Sequence, residues 1–125
     1  MHTRKTNESQ EDYLESILLI TREKGYCRSV DVANELEVSK ASVSVAMSKL
    51  QSGGYLRVDD DHTLHLTELG EQTARKVYDK HLTLKEMLEK IGVESDLAEQ
   101  EACRMEHVIS DDSILKLKLA IQNKV

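Results

Sequence analysis

Between residues 11 and 21, apolar side chains recur every three or four positions: Tyr13, Leu14, Ile17, Leu18 and then Ile20 or Thr21. That period places them on one stripe of a helix and predicts a first helix over 8–24. Asn7 or Ser9 is the expected N-cap, Arg22 and Lys24 suit the last turn, and Gly25 ends it. A second, shorter pattern follows in VDVANELE, with Ser29 as cap and Val32, Ala33 and Leu36 facing inward. After a four-residue turn, Ser39 caps a third helix, KASVSVAMSKLQS, whose inward stripe is Val43, Ala46, Met47 and Leu50 and whose end is marked by Gly53 and Gly54.

The period then changes from helical to alternating. Residues 55–58 and 63–67 read as two short strands joined by a turn at Asp59, Asp60, Asp61 and His62. A long helix over 68–91 resumes the 3–4 spacing, with Leu69, Thr73, Val77, Leu84, Met87, Leu88 and Ile91 on its apolar side. Gly92 breaks it. Ser95 is the expected cap of a helix reaching 108 or 109, and Ser110 or Asp111 caps a last one carrying Ile114, Leu115, Leu117, Leu119 and Ile121. The fold class is therefore mainly α. The order helix, short helix, tight turn, helix, two-stranded ribbon is that of a winged helix-turn-helix. It predicts a DNA-binding domain over 1–70; the apolar stripes of 84–91 and 114–121, and the ligand-type side chains described below, make 71–125 the expected helical dimerisation and metal-binding domain.

The inner pair of helices has specific steric demands. Ala33 must be small where the third helix crosses it, and Val38 is expected to plug the angle between the two helices. Glu37 stands where such turns often carry glycine, at a cost of about 1 kcal/mol if its backbone is left-handed. With Val43 and Leu50 turned inward, the third helix exposes Ser39, Lys40, Ala41, Ser42, Ser44, Val45, Ser48 and Lys49. Small, hydroxylic and basic residues can enter a major groove without collision. The serines and lysines suit phosphates, and Val45 suits a thymine methyl. Serine is a mediocre helix former, which makes this an uneconomical way to build a plain solvent face. Three consecutive aspartates at the wing tip would repel phosphates and set the wing apart from the DNA contact.

Composition changes the picture in two respects. The 125 residues include no Phe, Trp or Pro, so the core is built from aliphatic side chains in uninterrupted helices. The net charge of −6 lies wholly in the second half: residues 1–57 carry eight basic and eight acidic residues, and 58–125 carry nine and fifteen. Such an acidic half is either a solvated surface or a place where cations collect. No apolar run approaches a membrane span and the N-terminus lacks a signal-peptide core, so a cytoplasmic location with reduced thiols at Cys27 and Cys103 is expected.

Ligand-type side chains fall into three groups. Asp12 and Glu15 are three apart on one face of the first helix, His81 lies mid-way along the long helix, and Cys103, Glu106 and His107 stand at i, i+3 and i+4. Carboxylate with imidazole suits Mn²⁺ or Fe²⁺, while a thiolate shifts preference toward Fe²⁺, Co²⁺ or Zn²⁺. An enzyme is not expected: there is no phosphate loop, nucleophile motif or HExxH. The alternative to metal is a winged-helix regulator that answers to an organic ligand or a protein partner.

The segments EDYLESI (11–17), DVANELEVSKASVSVAMSKL (31–50), GYLRV (54–58), LTELG (66–70), VYDKH (77–81) and above all EACRMEHVIS (101–110) resemble the diphtheria toxin repressor and manganese transport regulator family. The resemblance spans nearly all of 8–124 and looks like the shorter, two-domain architecture. It implies a homodimer that binds palindromic operators in the presence of divalent metal and represses metal-uptake genes. Asp12 and Glu15 match ligands of the manganese branch, His81, Glu106 and His107 match ligands of both branches, and Cys103 matches the iron branch. Lys85 and Glu99 stand where the iron branch carries a glutamate and a histidine of an ancillary site. The implied primary site is Asp12, Cys103, Glu106 and His107, with Glu15 and His81 in a second site. The metal is Mn²⁺ or Fe²⁺, and it fixes the two recognition helices for successive major grooves.

Overall fold

A computed structural model describes the backbone of residues 4–122 and the side chains of 10–122. Its elements are α1 (Arg4–Lys24), α2 (Ser29–Leu36), α3 (Lys40–Ser52), β1 (Leu56–Val58), β2 (Leu64–Leu66), α4 (Glu68–Lys90), α5 (Ser95–Met105) and α6 (Asp111–Gln122). The chain divides into two compact units, 1–75 and 76–125, and the division falls within α4.

In the first unit α1, α2 and α3 pack on one another and on the two-stranded wing. Tyr13, Leu14, Ile17, Leu18 and Ile20 bury one stripe of α1 among Val32, Ala33, Val43, Met47, Leu50, Leu56 and Leu64. Ile20 is buried and Thr21 is exposed, so the apolar Ile20 completes the stripe. α1 begins at Arg4, ahead of the caps expected at Asn7 and Ser9, since nothing in that polar segment forces the backbone out of helix. It ends as expected at Gly25, which takes φ 90° while its amide still donates to the Thr21 carbonyl.

α2 is capped one residue earlier than expected. Arg28 is the extended N-cap residue, and Asp31 returns a carboxylate oxygen to the Arg28 amide at 2.9 Å. A carboxylate at that position satisfies the backbone amide of the N-cap residue itself, which fixes Arg28 as the cap. Glu37 does adopt the left-handed conformation, φ 56° and ψ 47°, and turns the chain into α3. Ala33 is buried at the crossing, as its size requires, but Val38 is 37% exposed. The turn is held by the Val38 amide donating to the Ala33 carbonyl rather than by an apolar plug.

β1 and β2 pair antiparallel with Leu56 opposite Leu66, Arg57 opposite His65 and Val58 opposite Leu64. The wing's aspartates are engaged: Asp59 meets Arg57 and His65, and the Asp61 carbonyl accepts from Arg28. Gly70 admits the start of α4 against β1, since a Cβ there would lie 2.0 Å from the Tyr55 carbonyl oxygen.

The second unit joins the rest of α4 to α5 and α6 around Leu84, Ala102 and Ile114. The buried face of α4 is Ala74, Val77, His81, Leu84 and Leu88, an alternating 3,4 spacing, with Thr83 buried beside it. Leu69 and Ile91, expected inside, are 46% and 71% exposed: Leu69 falls outside that phase, and Ile91 lies beyond the last residue of α4 and lines an open groove with Met87 and Leu117. α5 is capped by Glu94, whose carboxylate accepts from the amides of Asp96 and Leu97, and not by Ser95. α5 also stops at Met105, short of 108, leaving Glu106 as its C-cap and His107 in the connector to α6. Ser110 caps α6 by accepting from the Ser113 amide at 3.0 Å. Among the described residues no helix is long and apolar enough to cross a membrane.

Candidate metal centre and nucleic-acid interface

Within the second unit the ligand-type side chains gather around His81. α4 carries this imidazole on its buried face, where the next inward residues are Val77 and Leu84. An imidazole is tolerated there because both ring nitrogens are met. Nδ1 lies 2.9 Å from Glu106 Oε1, and Nε2 lies 3.0 Å from Glu99 Oε2. A neutral imidazole has only one N–H, so two carboxylate partners hold the ring as imidazolium. Its pKa is accordingly raised well above the ordinary 6.5, chiefly by hydrogen bonding with Cys103 and then with Glu106, against the opposing effect of burial. Cys103 Sγ is 3.8 Å from the same Nδ1.

Glu106 is the least expected feature of this unit. It is 1% exposed. One carboxylate oxygen is taken by His81, while Oε2 makes no hydrogen bond among the described residues and lies 3.5 Å from His107 Nε2. A buried carboxylate with a bare oxygen is unfavourable unless a cation reaches it. Oxygen, nitrogen and sulfur donors in one place form a set that a divalent transition metal fits.

His81, Glu99 and Cys103 place one ligand atom each within 4.8 Å of one another. Glu99 was absent from the ligands expected from the sequence. It sits four residues before Cys103, one turn along the same face of α5, and that spacing is the signal that could have found it. Its second oxygen lies 3.4 Å from Lys85 Nζ, and together Lys85 and His81 hold its pKa below the carboxylate norm in spite of burial. Asp12 and Glu15 lie in the first unit, half-buried on α1.

The nucleic-acid face is formed by α3. Ser39, Lys40, Ala41, Ser42, Ser44, Val45, Ser48 and Lys49 are all exposed, and Val45 is 57% so. Ser39 caps the helix by accepting from the Ser42 amide at 3.0 Å, and its hydroxyl donates to Ser42 Oγ at 3.0 Å. Gln10 and Tyr13 of α1 line a groove with Ala41, Ser42, Val45, Ala46 and Lys49. The α1 contribution was not anticipated, because Gln10 precedes the apolar stripe and carries no signal of its own.

Known proteins share both halves. Residues 5–64 match the family model described as iron dependent repressor, N-terminal DNA binding domain, and residues 67–123 match iron dependent repressor, metal binding and dimerisation domain. An uncharacterised HTH-type transcriptional regulator of Methanocaldococcus jannaschii is 34% identical over 93% of this chain and 94% of its own length. The HTH-type transcriptional regulator MntR of Lysinibacillus sphaericus is 33% identical over 91% of this chain and 82% of its own. The crystal structure of T. acidophilum IdeR superposes with a TM-score of 0.80 at 26% identity, covering 90% of this chain. This chain spans about half of that molecule, 53% of its length.

Proposed function

Since this chain belongs to the iron dependent repressor family and is, like its relatives, a metal-dependent transcriptional regulator, we propose that Mn²⁺ or Fe²⁺ is its co-repressor and a palindromic operator its target. Cys103, Glu106 and His107 with Asp12 hold the principal ion, and Glu15 and His81 contribute to a second, weaker site. Asp12 and Glu15 enter this proposal on their sequence positions alone. The observation that carries it is the Glu106 carboxylate, buried with one oxygen bare. When bound, the ion would supply a partner for the Glu106 oxygen that His81 does not reach.

The chain's own groups do the rest. Glu106 and His107 present an oxygen and a nitrogen from adjacent backbone positions, and His81 gives up a proton as metal arrives. The metal then works by population shift, binding the DNA-competent form better than the others. α3 carries two lysines and no acidic residue, so its face is locally cationic in an acidic protein. Two subunits present α3 to half-sites about 34 Å apart. The second copy docks on the apolar groove formed by Met87, Ile91, Leu117, Ala120 and Ile121. The working location is the cytoplasm.

Titration calorimetry of metal-stripped protein with Mn²⁺, and with Fe²⁺ under nitrogen, tests the metal. Binding to duplexes selected by the wild-type protein from a random pool, with and without Mn²⁺, tests the response. Asp12→Ala is expected to lose metal-dependent DNA binding while sedimenting as the wild-type dimer. Unchanged metal dependence in that variant removes Asp12 from the site.

A further inference from the structure

The connector between α5 and α6 carries His107, and Glu106 opens it. Its internal support is slight: the amides of Val108 and Ile109 both turn back to the Met105 carbonyl, at 3.1 and 3.2 Å. Its far end is held from outside, by Lys80. Lys80 Nζ donates to the Ile109 carbonyl at 2.8 Å and lies 3.1 Å from Asp111 Oδ1. The Lys80 side chain is only 18% exposed, so its ammonium is committed to these two acceptors. Lys76, one turn earlier on α4, holds the other Asp111 oxygen at 3.3 Å. The two lysines keep the Asp111 carboxyl below its ordinary range, with Lys80 the larger influence.

Lys80 immediately precedes His81. Successive helical residues point about 100° apart, so these two neighbours on α4 reach to different places. His81 grips the near end of the connector through Glu106 Oε1, and Lys80 grips the far end through Ile109 and Asp111. His107 lies between the two grips. Ligand atoms tolerate misplacement of only about 0.5 Å before a metal site loosens. A connector with two weak turns of its own cannot supply that precision.

We infer that Lys80 is a positioning residue for the metal centre: it sets the place of Glu106 and His107 by clamping the α5–α6 connector to α4. The inference rests on the proposed role of Glu106 and His107 as ligands. It assigns Lys80 no contact with the ion and no contact with DNA. Lys80→Met keeps the aliphatic stem and removes the ammonium, whereas Lys80→Arg keeps a cation that can reach both acceptors.

The test is carried out on the full chain with Mn²⁺ as the titrant and Co²⁺ as the spectroscopic probe. Wild type and Glu106→Gln are the controls. If wild type fails to bind Mn²⁺, or Glu106→Gln binds it as wild type does, the ligand assignment falls, independently of Lys80. With those controls in order, Lys80→Met is expected to bind Mn²⁺ at least tenfold more weakly. Its Co²⁺ ligand-field bands should shift or lose intensity, while metal-free melting stays within a few degrees of wild type. Lys80→Arg should restore most of the affinity and the wild-type Co²⁺ spectrum. Wild-type affinity and spectrum in Lys80→Met overturn the inference. So does an affinity loss accompanied by an equal loss of the metal-free fold and not rescued by arginine, since that would make Lys80 a stabilising residue only.

Discussion

Replacing Glu106 by leucine separates what this residue does for the fold from what it does for metal. The site is 1% exposed, and leucine has a similar volume, so no cavity is opened. In the metal-free protein His81 is a buried imidazolium, and removing its carboxylate partner at 2.9 Å leaves a charge uncompensated, a loss of about 3–5 kcal/mol in comparable exchanges. His81 keeps Glu99 on its other nitrogen, which limits that loss. The metal-free variant is therefore expected to be about 2–3 kcal/mol less stable than wild type.

With Mn²⁺ present at about one hundred times the wild-type Kd, wild type gains about 2.7 kcal/mol by mass action, and Glu106→Leu gains nothing. Urea unfolding followed by circular dichroism, at one protein concentration and with EDTA or Mn²⁺, reads both quantities. The pH dependence offers an internal check. The His81 pKa is raised in the folded state. Its contribution is therefore fully present below its unfolded value near 6.5 and is lost as pH rises through the higher folded value. Metal-free wild type should lose stability across that alkaline range, and Glu106→Leu should lose less. A variant that still gains more than about 1 kcal/mol from Mn²⁺ would refute the assignment of Glu106 as a ligand. A metal-free variant as stable as wild type would refute the buried His81–Glu106 ion pair.

Two further outcomes are expected. Cys27 is wholly buried and its thiol is pushed up to about 12 by desolvation, whereas Cys103 is exposed. Iodoacetamide at pH 8 should therefore label Cys103 alone in the native protein, read by peptide mass spectrometry, and saturating Mn²⁺ should slow that labelling if the sulfur is a ligand; rapid labelling of Cys27 would contradict its burial. Glu37→Gly should raise stability by about 0.5–1 kcal/mol, because the left-handed strain at φ 56° is relieved at some entropic cost in the unfolded chain; a lower melting temperature would show that the Glu37 side chain contributes something its backbone does not.

The sequence carried the order and type of every element, since each helix has an apolar stripe at 3–4 spacing and the wing alternates at two. Caps and buried phases were less legible. Ser29 and Ser95 are good caps by residue type, yet Arg28 and Glu94 take the position. The choice turns on which residue the backbone leaves extended, and a carboxylate nearby can serve the amides equally well. Along α4, residue type favours Leu69 for burial over Ala74 and His81, but the phase of the helix decides otherwise, and Ile91 keeps the phase yet lies past the helix end. His81 is inside because Glu99 and Glu106 satisfy it, and neither pairing can be read from a linear order. The motif 103–107 was visible as chemistry. Its division between a helix end and a connector was not, and that division is what gives Lys80 its leverage.

The acidic balance of the chain also has a structural resolution. A net charge of −6 argues against a nucleic-acid partner if charge is treated as spread evenly. In the second unit, however, Asp79 pairs with Lys118, Asp111 with Lys76 and Lys80, Glu99 with Lys85 and His81, and Glu106 is turned inside. In the wing, Asp59 is held by Arg57 and His65. Exposed charges beyond about 8 Å are largely screened at physiological ionic strength. What a phosphate would meet at α3 is therefore set by Lys40, Lys49 and the serine hydroxyls around them. The acids named here are neutralised by cationic partners, so a metal site in the second unit would draw on the buried Glu106 carboxylate rather than on the acidic surface as a whole. The charge asymmetry of the sequence therefore leaves α3 free of acids without making the second unit an open negative surface.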